Sequence, residues 1–191
     1  MIVELRRAVA FAVITMVLFG GVYHAAFVLV GQLLFREQAE GSLIRRADGR
    51  ILGSRLVAQA FRDVSYVRSR PSAVDYDAAS TGGSNLGPAN PDHLASVRER
   101  TEAVTRDDQP SGMVPGDLVT TSGSGVDPHL SPAAVRLQAA RVADARAVTR
   151  EQILALIESH IERPTFGLFG SARVNVLELN LALDERFPRA R

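Results

Sequence analysis

Two runs of the chain combine glycine with small hydroxyl or amide side chains, a composition that can hold an anion. The run 80–90 (STGGSNLGPAN) ends at Asn90, and the run 120–131 (TTSGSGVDPHLS) ends at Ser131. Both final residues are suited to cap a helix, and backbone N–H groups at a helix N-terminus attract negative charge. The residues that we single out are Ser80, Gly82, Gly83, Ser84 and Asn85 in the first run, and Ser122, Gly123, Ser124, Gly125, Asp127 and His129 in the second.

The same residue types are also typical of tight turns, in which short polar side chains bond to their own backbone and no ligand is involved. Asp127, His129 and a nearby serine could be imagined as a nucleophilic triad, in which aspartate orients histidine and histidine activates serine. Residues so close in sequence rarely adopt that geometry, and an Asp-Pro turn before a capped helix explains them. We therefore expect no catalytic residue, and both anion-holding loops and plain turns remain open.

The composition excludes several classes of chemistry. The 191 residues include no cysteine, and all 22 basic residues are arginine. The first absence rules out thiolate nucleophiles, cysteine-ligated metals and disulfides, and the lack of lysine rules out a Walker A loop and a Schiff base. Because the four histidines are well separated and no HExxH or EF-hand pattern occurs, we expect no metal site. A net charge of +1 gives no electrostatic argument for binding nucleic acid.

An uncharged segment predicts a transmembrane helix. Residues 8–35 follow a short tail at 1–7 and contain no formally charged side chain. A helix of that length, about 42 Å, exceeds a hydrocarbon core of ~30 Å, so it must tilt, kink near Gly20 and Gly21, or project past the interface. A cleaved signal peptide is the alternative, but its apolar region is typically ~7–15 residues long, and we therefore favour an uncleaved anchor.

Small and polar side chains meet at four positions inside this segment: Gly20, Gly21, Tyr23 and His24. Small residues let a second helix approach closely and polar residues can hydrogen-bond to it, so the pattern indicates packing against a membrane partner. The alternative is that Tyr23 and His24 face water or lie at shallow depth. Arginines flank both ends of the span, so the residues alone leave the side of the following domain open.

After a connector at 36–50, the remainder predicts one small soluble α+β domain over 51–191. Capping residues indicate four helix starts, at Asn90 before Pro91, Ser131 before Pro132, Thr149 with Gln152, and Asn175 with Glu178. The last apolar run alternates as a strand would, but its cap and leucine content favour a helix from Val176. The segment 114–121 (VPGDLVTT) is the best candidate for a central strand, while 51–61 mixes strand and helix signals.

A series of short runs, in one order along the chain, resembles a known family. The runs are GGVY (20–23), GSLI (41–44), RPSA (70–73), GGSNLGPANP (82–91), DLVT (117–120), SGVDPHLSPAA (124–134), RVADAR (141–146) and RVNVLELNLALD (173–184). Their order is similar to that of the C subunits of Kdp-type bacterial potassium-transporting ATPases, the KdpC family, over nearly the whole chain. The sequence departs from the family at His24, where the span commonly has proline after GGVY, so we expect a helix that bends less.

The resemblance implies a place in a complex. Its protein partners would be a channel-like potassium-binding subunit, a P-type ATP-hydrolysing subunit and a small accessory membrane peptide. The chain would also contact membrane lipid, and we expect no nucleic acid partner. The chain would be a non-catalytic accessory subunit for assembly and stabilisation, acting as a catalytic chaperone that raises the ATP affinity of the ATP-hydrolysing subunit. No tightly bound cofactor is implied, and the nucleotide to consider is ATP shared with that subunit.

The resemblance also implies a location. The chain would cross the bacterial inner membrane once, with a cytoplasmic N-terminus and an extracytoplasmic domain. Since ATP is cytoplasmic, an effect on its binding would then be transmitted through the membrane subunits. For direct ATP contact the candidate is the run 80–85, which faintly resembles the S-G-G stretch of ABC-transporter signatures but is interrupted by Thr81. The alternative function is a stand-alone membrane-anchored module that binds an anion or solute.

Overall fold

A computed structural model describes residues 1–189 of the chain. It contains an apolar N-terminal helix and a domain of helices with small antiparallel sheets, which confirms the predicted α+β class. The chain divides into two compact units, the first over Met1–Leu43 and the second beginning at Ile44.

The first unit is dominated by one long helical run. It consists of α1 (Ile2–Thr15), a π-helical segment (Met16–Val22) and α2 (Tyr23–Leu34), followed by the short α3 (Arg36–Ala39). The run has 33 residues and is long and apolar enough to cross a membrane. At ~1.5 Å per residue it measures about 50 Å. None of its side chains is buried by the rest of the chain, which suits a helix whose surroundings are lipid or another protein.

From Leu43 onward, the described residues form a hairpin, a three-stranded sheet and five α-helices. The hairpin pairs β1 (Leu43–Arg45) with β2 (Ile51–Ser54), so strand geometry occupies the start of the segment 51–61 whose type the sequence left open. The sheet is antiparallel, and its central strand β5 (Arg173–Asn175) lies between β3 (His129–Leu130) and β4 (Ile161–Glu162). The helices are α4 (Pro91–Asp108), α5 (Pro132–Leu137), α6 (Ala139–Arg146), α7 (Arg150–Ser159) and α8 (Val176–Arg186).

The predicted helix starts are confirmed. The side chains of Asn90 and Ser131 each accept hydrogen bonds from backbone N–H groups of the first helical turn. Thr149 and Gln152 form a complete capping box. Asn175 also caps its helix, accepting from the Glu178 N–H at 3.2 Å, and the last apolar run is helical from Val176 as expected. These local side-chain bonds satisfy donors that the helices leave free.

One local prediction is wrong. The segment 114–121 is not a strand but contains a 3₁₀ helix at Gly116–Leu118, because the chain turns back and the Thr120 hydroxyl donates to the Gly116 carbonyl at 2.7 Å. The helix that begins after Ser131 is interrupted at Gln138, between α5 and α6. In both places a polar side chain competes with regular backbone pairing.

The core lies among α5 to α8 and the three-stranded sheet. Its largest fully buried apolar side chains are Leu130, Ile153, Ile157, Leu179, Leu183, Val67, Val135, Val142, Val174 and Val176. Ile153 and Ile157 come from the apolar face of α7, where they are spaced by one helical turn. Burial of such side chains is the main favourable contribution to folding.

A segment at 64–69 passes through this core without joining a sheet, and polar side chains of α6 and Gln138 hold its backbone. The Gln138 side-chain amide pairs with both polar backbone groups of Arg68, at 2.8 Å to the N–H and 3.3 Å to the carbonyl. Arg141 donates to the carbonyl of Tyr66 at 3.0 Å, and Arg146 donates to that of Ser65 at 2.8 Å. This support fixes the chain immediately before Arg70, which enters the candidate site.

Candidate partner-contact site

The two glycine-rich runs lie against each other in the structure. The Gly82 N–H donates to the Ser124 carbonyl at 2.8 Å, and the Thr121 hydroxyl lies within hydrogen-bond distance of the Ser84 hydroxyl, at 3.4 Å. Segments that are far apart in sequence therefore form one surface, which we call the paired-loop surface and define as residues 80–85 and 121–129. The sequence predicted the two loops separately, and the structure brings them together.

This close approach requires glycine at position 125 and leaves little room for a side chain at position 83. Gly125 has a φ of +69°, and a Cβ placed on it would lie 2.6 Å from both the Gly82 carbonyl oxygen and a Val74 methyl group. A Cβ on Gly83 would lie 3.2 Å from the Gly123 carbonyl oxygen. A side chain at position 125 would be strained by the positive φ and would overlap the backbone of the first run. The two loops can therefore pack this closely only with glycine at that position.

Within the second run, short side chains satisfy their own backbone. The Ser124 hydroxyl accepts from the Val126 N–H at 3.2 Å, and the Asp127 carboxylate accepts from the His129 N–H at 3.0 Å. The Val126 carbonyl in turn accepts from the Ala58 N–H at 2.9 Å. These bonds support the turn interpretation of the sequence for this run. Ser122 and Gly125 are buried in the domain, whereas Gly123 and Ser124 are exposed.

The first run presents a more open edge. Ser80, Ser84 and Asn85 are exposed, whereas Gly82 and Gly83 are half-buried against the second run. Asn85 has a φ of +54°, a conformation that asparagine tolerates better than most residues. The outward-facing groups of the paired-loop surface are therefore hydroxyls, an amide and backbone, with no bulky side chain between them.

Arg70 joins the site although its sequence context is that of a solvated residue. Its guanidinium donates to the backbone carbonyls of Thr120 and Thr121, both at 3.2 Å, and lies 3.5 Å from the Asp127 carboxylate. The Arg70 carbonyl accepts from the Tyr76 hydroxyl at 3.0 Å. The signal that could have found it is its position in the RPSA run at 70–73. Arg70 therefore holds the backbone at the start of the second loop through its bonds to Thr120 and Thr121.

The carboxylate of Asp127 is held in its charged form. The His129 ring, whose Nδ1 lies 3.6 Å from the carboxylate, has the largest effect and lowers the pKa of Asp127, and the His129 backbone N–H and the Arg70 charge act in the same direction. Partial burial opposes them and raises the pKa. The net shift is downward, so the carboxylate is ionised at neutral pH and anchors the Asp-Pro turn at the base of the surface.

Several other ionisable groups of the domain form structural pairs. Arg68 lies 2.6 Å from the Asp107 carboxylate and lowers the pKa of that group. Arg141 and Asp108 form a buried pair at 2.7 Å. Over the described range 1–189, no group of three or more histidine, aspartate or glutamate side chains is arranged to hold a metal ion.

The four polar and small residues of the apolar N-terminal helix fall at or next to its π-helical segment. Gly20 and Gly21 lie inside the segment, and the Tyr23 N–H donates five residues back to the Leu18 carbonyl. His24 Nδ1 lies 2.7 Å from the Phe19 carbonyl oxygen, so the ring finds a polar partner within the helix. Apart from the helix's own backbone, no atom lies within 4 Å of the point that a Cβ on either glycine would occupy, which leaves room for a neighbouring helix.

Comparison with known proteins gives a consistent result. The sequence model of the family described as "KdpC: K+-transporting ATPase, c chain" matches residues 5–185. The chain is similar to the "Potassium-transporting ATPase KdpC subunit" of Shewanella putrefaciens, with 50% identity over 87% of this chain and 83% of the relative. It is also similar to the proteins of that description from Caulobacter vibrioides, 45% identical over 98% and 96% of the two chains, and Geobacter sulfurreducens, 45% identical over 97% and 99%.

Proposed function

Because the chain belongs to the KdpC family, the c chain of K+-transporting ATPases, we propose that it acts as a non-catalytic accessory subunit that assembles and stabilises an ATP-driven potassium uptake complex. Its partners are a channel-like potassium-binding subunit, a P-type ATP-hydrolysing subunit and a small membrane peptide. The helix at Ile2–Leu34 crosses the membrane with its N-terminus in the cytoplasm, and the domain lies on the extracytoplasmic side.

The paired-loop surface is the observation that carries this proposal. Two loops held together by a backbone hydrogen bond and a glycine contact form a surface with little side-chain entropy to lose on binding. Its exposed hydroxyl and amide groups, on Ser80, Ser84 and Asn85, suit hydrogen bonding to a folded protein. We assign this surface to contact with a partner subunit.

The same geometry argues against a phosphate cradle in the paired loops. A cradle needs several free N–H groups aimed at one point, but the Gly82 N–H is used by Ser124, and the N–H groups of Val126 and His129 are used by side chains of their own run. These bonds support an indirect action on ATP affinity, in which partner contacts outside the membrane shift the equilibrium of the ATP-hydrolysing subunit without binding of ATP to this chain.

The test is a pair of glycine substitutions in the assembled complex. Gly125→Ala places a Cβ 2.6 Å from the Gly82 carbonyl oxygen and pushes the loops apart, whereas Gly87→Ala lies near the first loop with nothing within 4 Å. We expect the first variant to reduce both co-purification of the partner subunits and potassium-stimulated ATP hydrolysis, while the second leaves both unchanged.

Two outcomes would contradict the proposal. Full assembly and activity of the Gly125→Ala complex, with circular dichroism demonstrating a folded domain, would remove the paired-loop surface from the interface. Binding of a phosphate-containing ligand by the full chain alone, lost in Gly125→Ala, would instead support a stand-alone anion-binding module.

A further inference from the structure

The turn between β4 and β5 carries large apolar side chains that the domain does not cover. Phe166, Leu168 and Phe169 are 88%, 81% and 69% exposed. They belong to the segment 164–172 (PTFGLFGSA), which contains no charged residue. We call residues 164–170 the apolar tip. Exposing three such side chains next to one another is costly in water, so the tip marks a contact with something apolar.

The apolar tip is an ordered turn. Thr165 and Phe169 form an antiparallel bridge, with the Thr165 N–H donating to the Phe169 carbonyl at 2.9 Å. The Gly167 N–H donates to the Pro164 carbonyl at 2.9 Å, and Gly167 has a φ of +73°, which the sharp turn requires. The apolar side chains are therefore presented on a fixed backbone, so little ordering is needed on binding.

Positive charge flanks the apolar tip. Arg163 stands immediately before it and is exposed, and Arg173 follows it at the start of β5. Arg173 lies 2.9 Å from the Glu162 carboxylate, and the charges of these two side chains cancel. The net positive charge at the base of the tip therefore comes from Arg163. Aromatic and aliphatic side chains at a tip with arginine at its base match the interface of a bilayer, where acyl chains lie beneath anionic headgroups.

The size of the apolar tip favours lipid over protein as its occupant. At roughly 150–250 Å² for each large side chain, three of them offer at most about 450–750 Å², and their partial burial lowers that area further. A stable protein interface needs about 800 Å² from each partner. Insertion of a loop into a membrane interface has no such minimum area, and a domain attached to a membrane-spanning helix by a short connector stays close to a bilayer at all times.

We propose that the apolar tip inserts into the interfacial region of the bilayer that the chain's own N-terminal helix crosses. Phe166, Leu168 and Phe169 enter the acyl-chain boundary, and Arg163 contacts lipid phosphates. The tip is a second membrane attachment of the domain, in addition to the helix. This inference rests on the helix at Ile2–Leu34 spanning the membrane, and it is independent of the paired-loop surface.

The experiment uses the full chain in vesicles of phosphatidylcholine and phosphatidylglycerol. The natural chain has no cysteine, so Leu168→Cys and, in a separate protein, Phe166→Cys can each carry one environment-sensitive fluorophore. Met113→Cys is the matched control, because Met113 is an apolar residue on a different loop and is 97% exposed. Flotation of the vesicles after an alkaline wash first establishes that the helix spans the bilayer.

We expect the fluorophore at either tip position to shift its emission to the blue, to be quenched by lipids that carry a nitroxide near the headgroup, and to resist quenching by aqueous iodide. The fluorophore at position 113 should show the opposite behaviour. Iodide quenching at the tip equal to that at position 113, in protein that floats, overturns the proposal. If iodide quenching at the tip is lost only when the partner subunits are present, and lipid nitroxides do not quench the fluorophore, the tip contacts a partner protein and the proposal of membrane insertion is overturned. If the protein does not float with the vesicles, both the membrane-spanning helix and the insertion of the tip are overturned.

Discussion

The side-chain amide of Asn180 pairs with both polar backbone groups of Val67, accepting from its N–H at 2.9 Å and donating to its carbonyl at 2.8 Å. The two residues are 113 positions apart and both are buried. An amide side chain has the donor and acceptor geometry of a peptide group, so Asn180 does for Val67 what a neighbouring strand would do in a sheet. Gln138 does the same for Arg68. The segment that leads to Arg70 is therefore held by side chains from two places in the helical layer.

Replacing Asn180 should destabilise the domain strongly. Asn180→Leu leaves the buried N–H and carbonyl of Val67 without partners, which should cost about 3 kcal/mol of the free energy of unfolding. The control Glu185→Leu, on an exposed position of the same helix, should change that free energy by less than about 0.5 kcal/mol. Denaturant unfolding of the full chain in detergent, followed by circular dichroism, measures both. Equal stability of the two variants would mean that the amide pairing is not important for the fold.

Acid should weaken the turn at the base of the paired-loop surface through Asp127. The His129 contact and Arg70 place the folded-state pKa of Asp127 below its ordinary value, which is about 4 in unfolded chains. The carboxylate therefore stabilises the fold at pH values above that ordinary value, and its contribution is lost as the pH falls through the folded-state pKa. We expect the stability difference between the natural chain and Asp127→Asn to be full at about pH 6 and to shrink below about pH 4.

The control for that experiment is Glu99→Gln, which removes a carboxylate from an exposed position of α4. Thermal unfolding of the full chain between about pH 3 and pH 7, a range chosen to bracket the ordinary aspartate pKa, measures all three proteins. A difference between the natural chain and Asp127→Asn that does not change with pH would show that the charge of Asp127 has no role in holding the turn.

Bulky side chains in the π-helical segment should weaken assembly in the membrane. Gly20→Leu or Gly21→Leu fills space that is open around the helix and would keep a partner helix from approaching closely. We expect lower recovery of the complex from membranes for both variants, with Ala10→Leu, in α1, as the control. Normal co-purification of the partner subunits with both glycine variants would exclude close packing at this point.

Much of the helical structure was predictable because its signals are local. Asn90, Ser131, Thr149 and Asn175 each cap a helix through bonds that reach only two or three residues along the chain. Such bonds depend on neighbouring residue types, which a sequence displays directly. The strand prediction for 114–121 was wrong although its valines and threonines have strand propensity. The turn closed by the hydrogen bond between Thr120 and Gly116 overrides that propensity.

The arrangement of the candidate site could not be predicted in the same way. Its two loops were visible as glycine-rich runs, but their contact joins Gly82 to Ser124, and the close fit at Gly125 depends on where the rest of the domain brings those backbones. The role of Arg70 has the same origin, because the partners of its guanidinium lie 50 residues or more away. Long-range contacts of this kind follow from the packed core, and one sequence gives no direct sign of them.

The central claim is that the paired-loop surface contacts a partner subunit outside the cytoplasmic membrane, and the most direct test is a single cysteine at the exposed Ser84. Spheroplasts that produce Ser84→Cys are treated with a membrane-impermeant thiol reagent, with and without the other subunits. We predict labelling when the chain is produced alone and protection when the complex is assembled. Labelling only after lysis would place the loops in the cytoplasm, and equal labelling with and without the other subunits would place them outside the interface; either result would contradict the account.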